Sequence, residues 1–452
     1  MKKNDLKNII NKNREQPSRD TFHSKIGFIL ACIGSAVGMG NIWMFPYRVG
    51  QFGGAAFLVP YFLFVIVIGI TGVIGEMSFG RAMGTGPLGA FEKALEKKGI
   101  KNGYLLGLIP VIGSLSIAIG YAVVIGWILR FTVGAITGVL LSAPDSGTYF
   151  GEIAGPLGSI GWHLAGLIIT FVIMLMGISN GIEKANKIMM PAFFFLFLIL
   201  AIRIATLPDA IVGYRYLFVP KWEFLKNPKT WVFALGQAFF SLSLAGSGTI
   251  VYGSYLKKTE DIVGCAKNVA FFDTLAAILS ALVIIPSVFV FGMDPAAGPP
   301  LMFIIMPNVF KMMPMGRLFS ILFFIAVLFA GISSLMNLLE TPIESLQDRF
   351  KISRKASVIV IAIISFMAGL MIESGDKLSI WMDMVSIYVI PLGTLLAGII
   401  FFWVCGSEFA REQTQFGRNT KMGSWFEPMT KYVFCGLTII VYILGIFYGG
   451  IG

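Results

Sequence analysis

The sequence contains few of the residues that enzymes and metal sites use most often. Its 452 residues include only two histidines, and charged residues make up 13% of the chain. The four cysteines lie in or beside apolar segments without metal-ligand spacing, so we expect them to serve as packing residues. Because no nucleophile with a neighbouring base, metal cluster or nucleotide-binding loop is recognisable, we predict that the protein is not an enzyme.

Long apolar segments dominate the chain instead. Hydrophobic residues make up 56% of it and the mean hydropathy is +0.81, which is typical of an all-α polytopic membrane protein. The first segment is too long for a cleaved signal peptide and lacks a small-residue cleavage site. We predict eleven membrane spans, at residues 26–48, 54–80, 104–141, 158–178, 186–207, 229–255, 262–292, 316–346, 356–373, 379–407 and 430–449.

The basic residues predict the orientation of these spans. With the amino terminus inside, most Lys and Arg residues fall in the tail and cytoplasmic loops, and the external loop 203–230 is the main exception. The net charge of +11 is spread over many loops, which favours topology signals and contact with anionic lipid over nucleic-acid binding. We therefore expect a multi-pass plasma-membrane protein with a cytoplasmic amino terminus, an external carboxyl terminus and no obligate protein partner.

Small and polar residues interrupt the first span. Residues 33–41 contain Gly34, Gly38 and Gly40, which weaken a helix, and Asn41, a polar side chain at hydrocarbon depth. A broken helix of this kind must line a cavity or a bound ion. The alternative is close helix packing, because Gly34 and Gly38 have the spacing of a small-residue packing motif.

The sixth span has a similar interruption, with a small and polar centre from Ser241 to Thr249. Broken helices at matching positions in two halves indicate the midplane site of an inverted-repeat transporter. Residues 298–313 form an apolar run too short to span, which predicts an external re-entrant or interfacial helix. Residues 181–191 are interpreted either as a cytoplasmic stretch that can unwind or as a plain loop followed by Pro191 at a helix start. We divide the chain into a tail (1–25), repeat one (26–207), repeat two with the external loop and re-entrant segment (208–407), and a loop with span 11 (408–452).

Several polar residues lie inside other predicted spans. Glu76 is either an anchor with a partner or an acid at the membrane interface, and Tyr121 by itself is a packing residue. Asp273 lies about a third of the way across span 7, where a carboxylate needs a cation. Ser333 and Ser334 either bind a partner or bond back to their own helix.

Four motifs together resemble the neurotransmitter:sodium symporter family. They are GSAVGMGNIWMFP at 34–46, GGAAF at 53–57, Gly236-Gln237 before the second break, and AGISS at 330–334. They occur in the right order on the right spans, and the resemblance covers nearly the whole chain. It implies the LeuT fold, in which ten spans form two inverted five-helix repeats, here with one additional span, and sodium drives uptake by alternating access.

The resemblance implies two sodium sites. Na⁺ prefers oxygen ligands, and broken helices supply free carbonyl groups that unbroken helices lack. The first site would also include the substrate carboxylate. Its protein ligands would be Ala36, Asn41, Ser241 and Asp273. The ligands of the second site would be Gly34, Val37, Ala330, Ser333 and Ser334.

The resemblance also implies an amino-acid site between the two breaks. The substrate carboxylate would meet the amides of Met39 and Gly40 and the Tyr121 hydroxyl, since free amides at a helix amino end favour an anion. At position 38 monoamine transporters carry an Asp, and Gly38 leaves room for a substrate with its own carboxylate. The amino group would meet Ala36, Phe240, Ser241 and Ser243, and the side chain would lie among Ile117, Tyr121, Phe240, Gly246, Ser334 and Leu338.

Gating residues follow from the same resemblance. Arg19 would pair with Asp348 on the cytoplasmic side, with Phe22 and Tyr255 packed nearby. The outer gate departs from the family pattern, because Met44 occupies the position of the usual Arg. The usual outer Arg–Asp pair therefore cannot form, and Asp383 matches the position of its acid only approximately.

Span 7 also departs from the family pattern. Asp273 occupies the position where relatives usually have an Asn, and Ala277 occupies the position where chloride-independent relatives generally have an acid. The negative charge has thus moved into the coordination shell of the first sodium ion, which predicts transport without chloride.

We therefore predict a symporter that couples two Na⁺ ions to the import of neutral hydrophobic L-amino acids, aliphatic and aromatic. One alternative is an amino-acid-gated channel or sensor on the same scaffold, which concentrative transport in proteoliposomes would exclude. The other is a symporter of another small zwitterion, which a substrate-competition panel would identify.

Overall fold

The computed structural model describes residues 21–244, 247–294 and 301–450, and regular secondary structure in these residues is helical. Eight helices are long and apolar enough to cross a membrane. A ninth span consists of two helices, span 1a (Lys25–Ala36) and span 1b (Gly40–Gln51), which meet at an angle of 50°. The all-α prediction is confirmed.

The eight continuous helices supply most of the predicted spans. They are span 2 (Ala55–Met83), span 3 (Tyr104–Thr137), span 5 (Ile178–Ala205), span 7 (Ile262–Val290), span 8 (Gly316–Phe350), span 9 (Arg354–Met371), span 10 (Gly375–Val404) and span 11 (Phe426–Tyr448). Span 4 (Ile160–Leu175) is a shorter apolar helix, and the sixth position is taken by span 6a (Pro228–Ser241) and span 6b (Gly248–Ser254).

Shorter helices connect the spans. They are Pro87–Glu96, Val139–Ser142, Ser146–Ala154, Ala210–Phe218, the 3₁₀ helix Trp222–Lys226, Leu301–Met312 and Ser407–Gln415. The helix Leu301–Met312 agrees with the predicted short external segment, although residues 295–300 lie outside the described part. The interpretation of residues 408–415 as a loop is wrong, since they belong to a helix.

The prediction for the start of span 5 is also wrong. Residues 181–191 are not a loop, because the helix already begins at Ile178. Its first six residues, Ile178–Glu183, have π-helical hydrogen bonding, and Pro191 lies inside the helix. Two polar residues of this stretch, Glu183 and Asn186, are buried in the protein.

The molecule buries the broken spans and exposes the outer ones. Span 3 packs extensively against span 8, span 1a packs against spans 5, 7 and 8, and span 6b packs against span 2. Spans 4 and 9 carry exposed apolar side chains such as Val172 and Met367, as a lipid-facing surface requires. The two breaks therefore lie in the interior, away from lipid.

Both predicted breaks are confirmed. Span 1a ends at Ala36, and span 6a ends at Ser241. In the second break Ser243 and Ser247 have positive φ angles of 55° and 51°, a left-handed conformation that no helix continues through.

Candidate functional site: two oxygen-lined sites and an amino-acid cavity

Three of the four residues predicted for the first sodium site, Asn41, Ser241 and Asp273, lie together where the breaks meet span 7. The amide nitrogen Nδ2 of Asn41 lies 2.7 Å from Asp273 Oδ1, and the Ser241 hydroxyl lies 2.8 and 2.9 Å from the two oxygens of that carboxylate. All three side chains are buried, with exposures of 0–1%. Three elements distant in sequence thus place a carboxylate, an amide and a hydroxyl at one point.

The composition of this cluster fits a monovalent cation. The Asp273 side chain is fully buried, and in the described part of the chain its hydrogen-bond partners are neutral groups. A charged carboxylate inside a membrane protein needs a compensating charge. The Asn41 Nδ2 atom also lies 3.0 Å from both Ser241 Oγ and the Asp273 carbonyl oxygen, so oxygen atoms dominate the cluster.

The break in span 1 exposes carbonyl groups for the second site. The Gly38 N–H donates to Asn41 Oδ1 at 3.0 Å instead of continuing the helical pattern to Gly34, and the Asn41 N–H donates to Gly38 O at 3.1 Å. The carbonyls of Gly34 and Val37 are thereby released from helical hydrogen bonding. Asn41 therefore shapes the break as well as contributing to the first site.

Span 8 brings the predicted serines against this break. A Cβ atom on Gly34 would overlap the Ser333 hydroxyl, and one on Gly38 would lie 2.8 Å from Ser334 Oγ. Only glycine allows both hydroxyls to come this close to the span 1 backbone. Ala330, one turn earlier on span 8, is fully buried. Gly34 thus lies beside Ser333, and Gly38 lies beside Ser334, with Val37 and Ala330 on the same two backbone segments.

A small cavity opens beside the two oxygen clusters. The Met39 N–H at the start of span 1b donates to the Tyr121 hydroxyl oxygen at 3.2 Å. The Tyr121 hydroxyl and the Met39 N–H thus lie side by side, and both are groups that can bind a carboxylate. The cavity is lined by Ser35, Ala36, Gly40, Ile117, Tyr121, Phe240, Ser243, Ser334, Asn337 and Leu338.

Two predicted substrate contacts, Ser243 and Phe240, also contact the backbone of span 1. The Ser243 hydroxyl borders the cavity but donates to the Ser35 carbonyl at 2.6 Å, so it links the two breaks. Phe240 closes one wall against Gly40, where a Cβ atom would come within 3.2 Å of its ring. Gly246, predicted for the side-chain pocket, lies outside the described residues.

Comparison with known proteins identifies the family. A model described as the sodium:neurotransmitter symporter family matches residues 19–145 and 151–449. The chain belongs to this family. It is 36% identical over 350 residues to the uncharacterized sodium-dependent transporter YhdH of Bacillus subtilis, covering 77% of each chain. It is 31% identical over 452 residues to an uncharacterized sodium-dependent transporter of Haemophilus influenzae, covering 95% of this chain and 98% of the relative.

A solved structure extends the likeness to three dimensions. The crystal structure of MhsT in complex with L-phenylalanine matches with a TM-score of 0.86 and 35% identity, covering 94% of this chain and 99% of MhsT. The symporter therefore has the LeuT fold, with two inverted five-helix repeats and one additional span. It is a sodium-dependent transporter and not an enzyme.

The inner end of the symporter contains part of the predicted gate. Phe22 packs edge-on against Tyr255, with ring centroids 6.3 Å apart, whereas Arg19 lies outside the described residues. Asp348 accepts a hydrogen bond from Thr85 at 2.6 Å. The predicted gate residues that the structure describes thus lie near the start of span 1a and the ends of spans 6b and 8.

A charged cluster beside Tyr255 was missed from the sequence. Glu340 forms a bidentate ion pair with Arg354, at 2.7 Å for each contact, and accepts a hydrogen bond from the Tyr255 hydroxyl at 2.8 Å. The sequence does contain an indication of this cluster: Glu340 is a carboxylate in a largely apolar span, and such a residue needs a partner.

At the outer end, a cation lies one turn beyond Met44. The Arg48 guanidinium stacks 4.1 Å from the Phe233 ring on span 6a and donates to Gln51 at 2.7 Å. Arg48 thereby joins the outer halves of the two broken spans. Asp383 is exposed near this region, and no ion pair between Asp383 and Arg48 forms in the described residues.

Two buried asparagines also border the sites, and sequence reasoning missed both. Asn186 on span 5 accepts a hydrogen bond from the Ser333 hydroxyl and donates to the Ile182 carbonyl at 2.9 Å. Asn186 lies where the predicted loop 181–191 overlaps the start of predicted span 5, and a polar residue is expected there. Asn337 lines the cavity, and its signal was a polar residue within the apolar part of span 8.

Glu76 has the partner expected of an anchor. Thr249 on span 6b donates a hydrogen bond to one carboxylate oxygen, and the side chain is 4% exposed. The interpretation as an interfacial acid is therefore wrong, because the residue is buried against the second half of a broken span.

Proposed function

We propose that this symporter couples the import of neutral hydrophobic L-amino acids, aliphatic and aromatic, to two Na⁺ ions and does not require chloride. The main support is the buried Asp273 carboxylate, held by Asn41 and Ser241 beside a cavity where the Met39 N–H meets the Tyr121 hydroxyl. A fixed negative charge and an anion-binding corner, side by side, suit a cation and a carboxylate bound together.

Shared binding explains how the ion and the amino acid would be coupled. A substrate carboxylate at the Met39 and Gly40 amides would point toward the first site, where the Ala36 carbonyl, Asn41, Ser241 and Asp273 supply the other oxygen atoms. The Tyr121 hydroxyl, now an acceptor from Met39, would turn to donate to the carboxylate. Bound Na⁺ then raises the affinity for the amino acid, and the bound amino acid raises the affinity for Na⁺ by the same factor.

The second ion would stabilise the break through a different pair of spans. Carbonyls of Gly34, Val37 and Ala330 and the hydroxyls of Ser333 and Ser334 would join span 1 to span 8 around Na⁺. Binding would therefore hold span 1a in place, and ion release would free it. This connects the ion to the opening of the inner end near Phe22 and Tyr255.

Side-chain selectivity would come from the apolar part of the cavity. Ile117, Phe240 and Leu338 border it. MhsT, which is similar in fold, was crystallised in complex with L-phenylalanine, and this favours a large apolar substrate. The proposed setting is the plasma membrane, with the amino terminus in the cytoplasm and the carboxyl terminus outside.

Transport measurements in proteoliposomes test the proposal. Uptake of labelled L-leucine and L-phenylalanine against a gradient is expected with an inward Na⁺ gradient, with little activity when choline or lithium replaces sodium. Replacing chloride with gluconate should leave uptake unchanged. Uptake that is equal in choline and sodium would contradict symport, as would sodium-dependent binding without accumulation, which is the expected behaviour of a sensor.

A further inference from the structure

Asn337 borders the amino-acid cavity but has no role in the site described above. It lies on span 8 immediately before Leu338 and is 1% exposed. Among the residues that the structure describes, its amide oxygen Oδ1 has no hydrogen-bond partner. Buried amide oxygens are nearly always paired, and leaving one unpaired is costly.

The position of Asn337 relates it to the substrate side chain. Ser334, Asn337 and Leu338 are three and four residues apart, so they share one face of the helix. Ser334 lies near Gly38 and Tyr121, at the carboxylate end of the cavity. Asn337 lies about 4.5 Å further along the helix axis, as three residues at 1.5 Å each require.

Gly248 makes room for the Asn337 amide. A Cβ atom at the start of span 6b would lie 2.7 Å from Oδ1 and would force the side chain to move. Apolar residues form much of the remaining wall, including Ile117, Phe240 and Leu338. The amide is therefore a single polar point in a largely apolar part of the cavity.

We propose that Asn337 Oδ1 accepts a hydrogen bond from the substrate side chain. The preferred substrates are then neutral L-amino acids with a large apolar body and one N–H or O–H donor, namely tryptophan and tyrosine. This inference rests on the proposed function. A substrate with the donor satisfies the buried acceptor, whereas a substrate of the same shape without the donor leaves it unpaired, which is an effective basis for selectivity.

Pairs of shape-matched amino acids test the inference by competition with labelled L-leucine on the purified full-length protein in sodium chloride. Tryptophan is compared with 3-benzothienylalanine, in which sulfur replaces the indole N–H, and tyrosine is compared with phenylalanine. We expect the member with the donor to bind roughly three- to tenfold more tightly in at least one pair, the range of one neutral hydrogen bond. Asn337→Leu should bring that ratio to about one by weakening tryptophan or tyrosine.

A matched control is available on the same helix. Ser320 is fully buried, and its hydroxyl has no hydrogen-bond partner in the described part of the chain, but it does not line the cavity. Ser320→Ala should leave both ratios unchanged. Asn337→Ser retains a hydroxyl oxygen at the position and should retain part of the preference if Asn337→Leu does not fold.

The outcomes separate this inference from the proposed function. A wild-type protein that binds leucine with sodium but prefers the donor in neither pair overturns the role of Asn337, as does an Asn337→Leu variant that keeps the preference. A wild-type protein that binds none of these amino acids overturns the proposed function. The wild-type ratios alone can therefore overturn the inference even if no variant folds.

Discussion

At the scale of single residues, the proposed function places the Asp273 carboxylate in direct contact with the first Na⁺ ion. Asp273→Asn keeps the shape but removes the charge, so the sodium concentration for half-maximal uptake should rise by about tenfold or more. Ala277 lies one turn further along the same face of span 7 and is fully buried. The double variant Asp273→Asn with Ala277→Ser should gain chloride-stimulated uptake, because a hydroxyl donor there can hold an anion in place of the lost carboxylate.

Uptake assays with chloride or gluconate compare the wild type, both single variants and the double variant. Ala277→Ser alone is the control and should remain insensitive to chloride. Wild-type uptake that stops in gluconate would show that Asp273 does not supply the compensating charge.

Gly38 leaves space beside Ser334, a proposed sodium ligand, and Tyr121, a proposed contact of the amino acid. A Cβ atom there would lie 2.8 Å from Ser334 Oγ and 3.3 Å from the Tyr121 hydroxyl. Gly38→Ala should therefore weaken both sodium and amino-acid binding, by roughly tenfold, because the strain of overpacking is of order 1–3 kcal/mol. Equilibrium binding of labelled leucine at several sodium concentrations measures both effects.

Gly161 provides the comparison for Gly38. It lies in span 4, and nothing is within 4 Å of a Cβ atom built there. Gly161→Ala should leave binding unchanged. If Gly38→Ala is also without effect, the space beside Ser334 is not needed by either ligand.

Site residues were predictable where a polar group in an apolar segment would be costly to bury without a partner. They were not predictable where other polar residues surround them in the sequence. Asn41 and Asp273 are polar groups in apolar segments, so each had to have a partner, and the structure brings them to 2.7 Å. Asn186 lay in a stretch that contains several polar residues, where a further Asn carries no signal. Its contact with Ser333 depends on the packing of span 5 against span 8, which local sequence does not specify.

At the scale of helices, the break positions were predictable and the boundaries were less so. Glycines and polar residues at hydrocarbon depth located both breaks. The start of span 5 was missed because Ile178–Glu183 is held by tertiary contacts and not by propensity. The Glu183 carboxylate accepts hydrogen bonds from the His23 N–H at 2.7 Å and the Ser24 hydroxyl at 2.8 Å, which joins the beginnings of spans 1a and 5.

This junction predicts how the inner end opens. Glu183→Gln removes the charge and one of the two acceptor oxygens, so the start of span 1a should separate more readily from span 5. Cys32 is buried in span 1a and serves as a native reporter. Its reaction with a thiol reagent applied from the cytoplasmic side, followed by mass spectrometry, should become several-fold faster, and sodium should slow it.

Glu92→Gln is the control for this experiment. Glu92 is a partly exposed acid whose ion pair with Arg349, at 3.3 Å, lies on the surface, and such pairs contribute little. Labelling of Cys32 should not change in this variant. An unchanged rate in Glu183→Gln as well would show that the junction does not hold the inner end closed.

At the scale of the whole molecule, the adjacent ion and amino-acid sites predict linked stability. A ligand that binds only the folded state raises the free energy of unfolding by RT ln(1 + [L]/Kd). If the substrate carboxylate completes the first sodium site, L-leucine should raise the melting temperature in sodium chloride but have little effect in choline chloride. By reciprocity, leucine should lower the half-saturating sodium concentration by the same factor by which sodium lowers that of leucine.

Thermal unfolding of the detergent-solubilised protein over a grid of both concentrations measures the two factors. Asp273→Asn should reduce both equally, since it lowers the occupancy of the shared site. Stabilisation by leucine that is the same with and without sodium would separate the two sites and contradict the shared carboxylate.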